Sequence, residues 1–291
     1  MAPHPSLPIV DAPEAPEPPE ISVEAAAKWL RAAGPKRIAC SGGIDSLLLA
    51  TLSHRVDPER TRVTHALGPA VPGEATERVR AWGAAEGWSL EWAHAGEAED
   101  ERYVSNPSDR CYFCKDNLYR TLRTLERPGE AATLLSGANV DDLGEWRPGL
   151  NAAEQHRVRH PWVEMGWRKA DIRELARTLE LPFAELPASP CLASRLYTGT
   201  RVTPERLAAV EAGEERLRAL TGIAVARCRI EGDRARVEVG SGDRARVTER
   251  VLSDIASVMR RHIPELSLEL DPRPYAPGRA FSVNWAEPRP L

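Results

Sequence analysis

The sequence predicts an α/β fold, with a doubly wound parallel sheet followed by a smaller C-terminal α+β domain. Two observations support this prediction. Over the first two thirds of the chain, short apolar segments alternate with helical segments, as in successive β–α–β units. Over the last third, segments with period-two hydrophobicity dominate. With 291 residues, of which 42% are hydrophobic, the chain is long enough for one large domain or two modest ones.

The individual elements are predicted from hydrophobic periodicity and from the Gly- and Pro-rich segments between them. The first region should contain helix 21–33, strand 37–40, helix 45–54, strand 62–67, helix 74–86, strands 89–93 and 131–136, and helix 169–179. The second should contain helix 204–220, strands 224–230 and 235–239, helix 244–261 and strand 266–270. Residues 187–203 are rich in Pro, Ser, Gly and Thr and predict a long functional loop. The predicted domains are therefore 21–186 and 204–291, joined by this loop.

Composition and charge argue against several classes of function. Residues 1–20 are rich in Pro, Ala and Glu and predict a disordered tail without the features of a signal peptide. No apolar run approaches the roughly 20 residues that a membrane helix needs, so a cytoplasmic protein without a membrane partner is expected. The net charge of −4 and the pI near 6.0 argue against nucleic acid as the main partner.

A phosphate-binding loop is predicted at residues 41–46, which read SGGIDS between a strand and a helix. The two glycines permit positive φ angles, so that successive backbone N–H groups can converge on an anion at a helix N-terminus. The lysine of a Walker A loop is missing, which favours a pyrophosphate group and attack at the α-phosphate. Asp45 should either hold Mg²⁺ or cap the helix, and in the second case the segment is only a turn. The expected phosphate ligands are Ser41, Gly42, Gly43 and Ser46.

A second polar patch, SGANVDD, begins at the end of the predicted strand 131–136. Ligands of parallel α/β folds gather at the carboxyl ends of the strands, so Asp141 and Asp142 are expected to reach Mg²⁺ or the substrate. The alternative is a surface turn with a solvated acidic pair.

The five cysteines divide into two groups. Cys40 and Cys228 lie in apolar strand patterns and are expected to be core residues. Cys111 and Cys114 form a CxxC, and with Cys191 they make a set of three thiols that could hold a metal centre such as a [4Fe–4S] cluster with one open iron. A redox pair and two buried thiols remain alternatives, although the sequence gives no clear sign that the CxxC opens a helix.

Five segments carry a resemblance to a known family. SGGIDS alone resembles the signature of the PP-loop ATP pyrophosphatases. Together with RCYFCK, SGANVDDLGEWRPGL, RKADIRELA and SPCLASRLY, in this order and spacing, it resembles the ATP-dependent sulfur transferases known as LarE. The resemblance runs from about residue 30 to 238. It implies a PP-loop fold (adenine nucleotide alpha hydrolase-like), cleavage of ATP to AMP and pyrophosphate, and adenylation of a substrate carboxylate.

The resemblance also implies a substrate and a sulfur source. The substrate of the family is a small nucleotide, a pyridinium biscarboxylate mononucleotide that is the precursor of a nickel-pincer cofactor, and its carboxylates become thiocarboxylates. The cysteine of the CLASR segment, here Cys191, gives the sulfur. One group of the family sacrifices this cysteine and is left with dehydroalanine. In another group three cysteines hold a [4Fe–4S] cluster, which here implies Cys111, Cys114 and Cys191. Lys115 is an expected catalytic residue, and family members form homo-oligomers, often hexamers.

Substrate-binding residues are implied at positions that match the family. These positions are Ser194, Arg195, Glu215, Arg227 and Arg229. The chain departs from the family pattern after CLASR, where it reads LYTG, and in HPWVEMGWRK, where Trp162 and Trp167 predict a bulkier pocket.

Three other functions fit parts of the pattern. A tRNA-thiolating PP-loop enzyme can carry three cysteines, but the low basicity counts against it. A non-catalytic nucleotide- or metal-binding regulator would leave the Cys191 loop inert. An amide synthetase of the PP-loop class would give the cysteines no role.

Overall fold

The computed structural model describes residues 19–126, 131–144 and 147–281, so most of the predicted tail lies outside the described residues. The helices of the first region are α1 (Val23–Ala32), α2 (Ile44–Val56), α3 (Gly73–Glu86), α4 (Glu101–Val104), α5 (Arg110–Thr124), α6 (Pro148–Gln155), α7 (Pro161–Glu164) and α8 (Lys169–Thr178). Its strands are β1 (Lys36–Ala39), β2 (Thr61–Leu67), β3 (Leu90–His94) and β4 (Thr133–Ser136). The second region has α9 (Pro204–Thr221), α10 (Glu249–Arg260), β5 (Ala226–Glu231), β6 (Arg234–Val239) and β7 (Ser267–Leu270).

The predicted α/β fold with a parallel sheet is confirmed. The four strands of the first region lie in the order β3-β2-β1-β4, and all three pairings are parallel. The chain thus builds outward from β1 through β2 to β3 and then returns to the other side of β1. Parallel neighbours need long crossover connections, and the helices between the strands supply them.

Helices cover both faces of this sheet. Leu135 of β4 belongs to a buried cluster with residues of α1, α2 and α8, whereas Leu134 belongs to another with residues of α5 and α6. Successive residues of a strand point to opposite faces, so the two clusters lie on opposite sides of the sheet. Burial on both sides explains why the strands read as short, continuous apolar segments.

The second region forms a separate sheet of three strands in the order β5-β6-β7, with one antiparallel and one parallel pairing. Its apolar side packs with α9 and α10 in one cluster that includes Cys228, which confirms the prediction that Cys228 is a core residue. Cys40 is also buried, as predicted. Polar contacts tie α9 to the start of α3, because Glu211 accepts a 2.6 Å hydrogen bond from Gly73 N and Arg218 forms a 2.9 Å ion pair with Glu74.

One helix was not predicted, and one prediction was wrong. The CxxC does open a helix, α5, which crosses from β3 to β4, and the sequence obscured it because its buried apolar stripe starts only at Leu118. The predicted helix 244–261 begins instead at Glu249, because the Thr248 hydroxyl accepts a hydrogen bond from Val251 N and caps it there. Within the described residues, no helix is long and apolar enough to cross a bilayer.

Candidate functional site

The loops that follow β1 and β4 meet at the point where the strand order reverses. In open parallel sheets this point forms a crevice at the carboxyl ends of the strands, where ligands bind. The contact between the loops is close, since a Cβ atom on Gly137 would lie 2.7 Å from Ser46 N and 2.8 Å from the carbonyl carbon of Asp45. Only glycine fits there, and the two predicted polar segments therefore share one site.

The SGGIDS loop has the conformation that an anion-binding turn requires. Gly42 has a φ of +81°, and a Cβ atom there would lie 2.7 Å from the carbonyl oxygen of Ala75. The Ser46 hydroxyl accepts a 3.0 Å hydrogen bond from Ser41 N and donates one of 3.0 Å to Gly43 O, which holds the turn closed. The N-cap of α2 is Gly43 and not Asp45, so the alternative of a turn capped by Asp45 is wrong.

Asp45 is paired with a lysine that the sequence prediction did not include. Its carboxylate forms a short ion pair with the ammonium group of Lys169, at the first position of α8, and lies 3.4 Å from the Asn139 amide nitrogen. The lysine missing from the loop itself is thus supplied by a distant helix. The RKADIRELA segment contained the residue, but only the tertiary structure brings it to the loop.

The acidic pair at the end of β4 makes hydrogen bonds that order this edge. Asp141 accepts bonds from Lys169 N (2.9 Å) and from the Arg168 guanidinium (2.7 Å), which lower the pKa of its carboxyl. Asp142 accepts a 3.0 Å bond from Asn139 N and pairs with Arg147. Both carboxylates lie beside the SGGIDS loop. That they bind Mg²⁺ or substrate remains a prediction.

The tryptophans expected to enlarge a pocket are core residues instead. Trp162 and Trp167 are fully buried, and their rings stack with centroids 5.1 Å apart. The indole N–H of Trp162 donates a 3.1 Å hydrogen bond to Asp45 O. The prediction of a bulkier pocket is therefore wrong. The stacked pair of Trp162 and Trp167 instead supports the start of α2.

Three cysteines come together where α5 begins. Cys111 and Cys114 lie in its first two turns, and Cys191 lies on the exposed loop before α9. Burial raises the pKa of the Cys114 thiol to about 12, and the charges of Cys191 and Cys111 contribute. The pKa of Cys111 is raised by burial and by Cys191. Cys114 also packs against the buried cluster that contains Leu192 and Ala193, the two residues after Cys191.

Lys115 lies between the cysteines and the carboxyl end of β4. Burial lowers the pKa of its ammonium group, but Tyr119 and the three cysteines raise it by more, so the net shift is upward. Tyr119 in turn makes a hydrogen bond with the side chain of Ser136, the last residue of β4.

The described residues show no metal site at the cysteines. Among them, no group of three His, Cys, Asp or Glu side chains is placed to hold a metal ion. A [4Fe–4S] cluster at Cys111, Cys114 and Cys191 therefore stays a prediction from the family resemblance. Two buried donors, the Tyr103 hydroxyl and Arg110 Nη2, lack a hydrogen-bond partner within the described residues.

A buried ion pair anchors the Cys191 loop. Arg195 binds Glu214 of α9 through Nε (2.9 Å) and Nη2 (2.8 Å), and both side chains are almost fully buried. Arg195 Nη1 donates to Pro190 O at 2.7 Å and to Cys191 O at 3.1 Å. Glu214, which the sequence prediction did not include, thus fixes the backbone on which Cys191 sits.

The other implied substrate residues lie in different surroundings. Arg229 is buried against Glu238 (2.7 Å) and donates a 3.1 Å hydrogen bond to Ser194 O, so it also braces the loop. Arg227 is buried with no carboxylate ion pair in the described part of the chain, and burial followed by the charge of Arg195 lowers its pKa. Glu215 is exposed on α9, and burial followed by Glu211 raises its pKa.

One cavity brings Arg195 and Arg227 together with a residue bonded to the SGGIDS loop. It has a volume of about 290 Å³ and is lined by Arg227, Arg195 and Ser189, two residues before Cys191. Arg78 also lines it and donates a 2.7 Å hydrogen bond to Gly42 O. A cavity bordered by several guanidinium groups suits an anionic ligand, such as a nucleotide phosphate or a carboxylate.

Comparison with known proteins gives three relatives and no matching family model. The chain is 30% identical to pyridinium-3,5-bisthiocarboxylic acid mononucleotide synthase of Lactiplantibacillus plantarum over 231 residues, which cover 78% of this chain and 83% of the synthase. It is 36% identical to an uncharacterized protein of Synechocystis over 69% of this chain and 75% of that protein. A third relative, an uncharacterized protein of Methanocaldococcus jannaschii, is 29% identical over 62% of this chain and 68% of its own length.

Proposed function

The chain belongs to the LarE family, that of the Lactiplantibacillus plantarum synthase, and on this premise we propose that it is an ATP-dependent sulfur transferase. It would adenylate a carboxylate of a pyridinium-3,5-biscarboxylic acid mononucleotide and convert it to a thiocarboxylate for a nickel-pincer cofactor. One observation carries the proposal. One cavity is lined both by Arg78, which donates a hydrogen bond to Gly42 O of the SGGIDS loop, and by Ser189 of the segment that leads to Cys191.

The first half of the proposed reaction takes place at the SGGIDS loop, as in a PP-loop enzyme. The backbone N–H groups at the start of α2 would bind the pyrophosphate part of ATP, with Ser41 and Ser46 beside them. Asp45, Asp141 and Asp142 are the carboxylates available to Mg²⁺. Lys169 would exchange its contact with Asp45 for the charge of the leaving pyrophosphate. AMP becomes attached to the substrate carboxylate, and pyrophosphate leaves.

The second half takes place at the cysteines. A sulfur nucleophile attacks the activated carbonyl carbon, the C–S bond forms, and the bond to AMP breaks with its electron pair on the phosphate. Lys115 would stabilise the negative charge on the sulfur, and Arg227 would bind the substrate phosphate. The Arg195–Glu214 pair would keep Cys191 in place during transfer.

Cys111, Cys114 and Cys191 are the residues that would hold a [4Fe–4S] cluster. When bound, such a cluster would supply a replaceable sulfide, so that transfer would not consume the protein. Without it, the sulfur would come from Cys191 itself, whose Cβ–S bond would break by elimination and leave dehydroalanine in the chain. We extend to this chain the homo-oligomeric assembly of its family.

Replacement of Lys169 by alanine tests the nucleotide half. Pyrophosphate release from ATP in the presence of the mononucleotide should fall about a hundredfold, because a charge that stabilises the leaving group is removed. Released pyrophosphate is measured by a coupled phosphate assay. Lys28→Ala, at an exposed position of α1, should keep the wild-type rate. Equal rates for Lys169→Ala and wild type would contradict the role of Lys169.

A further inference from the structure

Tyr103 lies in the same core as the cysteine segments, and its hydroxyl group makes no hydrogen bond within the described residues. Its side chain is 3% exposed, and the hydroxyl has no hydrogen-bond partner within the described residues. Leaving a buried hydroxyl unpaired is costly, and buried tyrosines usually find an acceptor. An unpaired donor of this kind therefore indicates that its acceptor is a group absent from the polypeptide itself.

The position of Tyr103 is fixed by the backbone on both sides. It belongs to the short helix α4, which the Asp100 carboxylate caps through a 3.0 Å hydrogen bond from Arg102 N. Val104 O accepts a 2.8 Å hydrogen bond from Val202 N. The Asn106 amide donates to Tyr197 O and Thr200 O, at 2.8 and 2.7 Å. The segment that carries Tyr103 is thus tied to the chain just beyond the Cys191 loop.

Tyr103 packs in the same core as the segment that carries Cys191. It shares a buried apolar cluster with Leu192 and Ala193, the two residues that follow Cys191, and Cys114 packs against the same cluster. Leu192 N also donates a 2.8 Å hydrogen bond to Ala70 O, and Ala70 and Tyr103 line one small cavity. Packing thus places the buried hydroxyl in the neighbourhood of Cys114 and Cys191.

A second buried donor with an unsatisfied nitrogen lies in the same region of the chain. The Arg110 guanidinium is 1% exposed and lies over the Phe281 ring, 5.1 Å from its centroid. One of its nitrogens bonds the Asn106 side chain, while Nη2 has no acceptor within the described residues. Its charge lowers the pKa of both Cys111 and Tyr103, against the larger effect of burial.

We propose that the Tyr103 hydroxyl donates a hydrogen bond to the sulfur atom that is handed to the substrate at the Cys191 position. This inference rests on the proposed sulfur transfer and deepens it. The acceptor is an anionic sulfur, either the Cys191 thiolate or a sulfide held at the three cysteines. Hydrogen bonds to a charged acceptor are stronger than those to a neutral one, which suits a donor kept in a dry position.

The hydrogen bond changes neither the atoms nor the electrons of the transfer. The sulfur uses its own electron pair to form the C–S bond, and AMP leaves with the pair of the broken C–O bond. Where the sulfur is that of Cys191, loss of the Cα proton forms the Cα=Cβ bond of dehydroalanine, and the Cβ–S bond breaks with its pair on the thiocarboxylate sulfur. Tyr103 keeps its proton throughout. Its contribution is to aim the sulfur at the carbonyl carbon.

A bound water is the competing explanation. A cavity of about 20 Å³, enough for one water, lies beside Tyr103 and is also lined by Glu97. A hydroxyl bonded to that water would be a structural feature of the fold. The Tyr103 hydroxyl would then contribute to the stability of the protein and not to sulfur transfer.

The test is Tyr103→Phe in the full chain, with Tyr197→Phe as the matched control. Tyr197 is also buried, but the charged groups beside its hydroxyl are Glu238, Arg229, Arg279 and Asp271, with no cysteine among them. Pyrophosphate release and thiocarboxylate formation are measured separately, together with thermal unfolding. In protein that carries a cluster, its midpoint reduction potential is measured as well.

Tyr103→Phe should release pyrophosphate at the wild-type rate and form thiocarboxylate about tenfold more slowly. Its melting temperature should not fall, because an unsatisfied hydroxyl has been removed. A cluster should become harder to reduce, since hydrogen bonds to sulfur raise the potential. The control should change neither the transfer rate nor the potential.

Unchanged transfer with a lowered melting temperature would overturn the inference and assign the hydroxyl to the water. Slower pyrophosphate release in Tyr103→Phe would overturn it too, because the residue would then act before sulfur transfer. Wild-type protein that releases pyrophosphate but forms no thiocarboxylate would contradict the proposed function, and the role of Tyr103 would be lost with it.

Discussion

Replacing Cys191 by serine should abolish thiocarboxylate formation while pyrophosphate release continues. In the proposed reaction, adenylation takes place at the SGGIDS loop, which contains no cysteine, so the first half-reaction should not depend on Cys191. A serine hydroxyl neither supplies sulfur nor holds a cluster as a thiolate does. The expected result is loss of the sulfur-containing product below detection, measured by chromatography with mass detection.

Two controls separate chemistry from folding. Cys228→Ala removes a buried thiol of the second core and should keep full transfer activity. Cys111→Ser should lower the iron content of anaerobically purified protein as Cys191→Ser does, if the cluster is present. If Cys191→Ser still forms the thiocarboxylate, the assigned sulfur position is wrong. If wild-type protein forms it without iron, Cys191 itself is the source.

Replacing Glu214 by glutamine should destabilise the protein by about 3–5 kcal/mol, because it leaves the buried Arg195 cation without its partner. Glu214 also accepts a 3.1 Å hydrogen bond from Cys228 N, so the change reaches the second sheet. The loss should appear as a lower midpoint of denaturant unfolding with an unchanged slope. Sulfur transfer should slow as well, because Arg195 holds the carbonyl groups of Pro190 and Cys191.

Glu215, the residue next to Glu214, provides a matched control. Glu215→Gln makes the same chemical change at an exposed position of the same helix, and surface changes of this kind stay within about 0.5 kcal/mol. A rise in KM for the mononucleotide in Glu215→Gln, without loss of stability, would support the predicted role of Glu215 in substrate binding. Equal stability of the two variants would contradict the anchoring role of Glu214.

The site at the carboxyl ends of β1 and β4 could be predicted from the sequence because its signals are local. A strand, two glycines and a helix are consecutive in the chain, and their order alone places a turn at the edge of a sheet. Lys169 and Gly137 were not predictable as partners of this turn, because they meet it only through the strand order β3-β2-β1-β4. Motif spacing contains no information about that order.

The cysteine site was predicted from the family resemblance and not from local signals. The family resemblance groups Cys191 with Cys111 and Cys114, which lie about 80 residues earlier in the chain, and in the fold Cys114 packs against the core that contains Leu192 and Ala193. Tyr103 and Glu214 carry no signal in the sequence, because a buried tyrosine in a short helix and a glutamate in a long one look like ordinary core and surface residues. Their importance depends on which groups they face, and that follows from packing.

Mass analysis of the product is the most direct test of sulfur transfer. Wild-type protein, purified without oxygen, is incubated with ATP, Mg²⁺ and pyridinium-3,5-biscarboxylic acid mononucleotide. We expect AMP and pyrophosphate in equal amounts and a mononucleotide whose mass has risen by the exchange of one oxygen for sulfur. An unchanged mononucleotide, or an amide formed only when ammonia is added, would contradict sulfur transfer and identify a different use of the same ATP site.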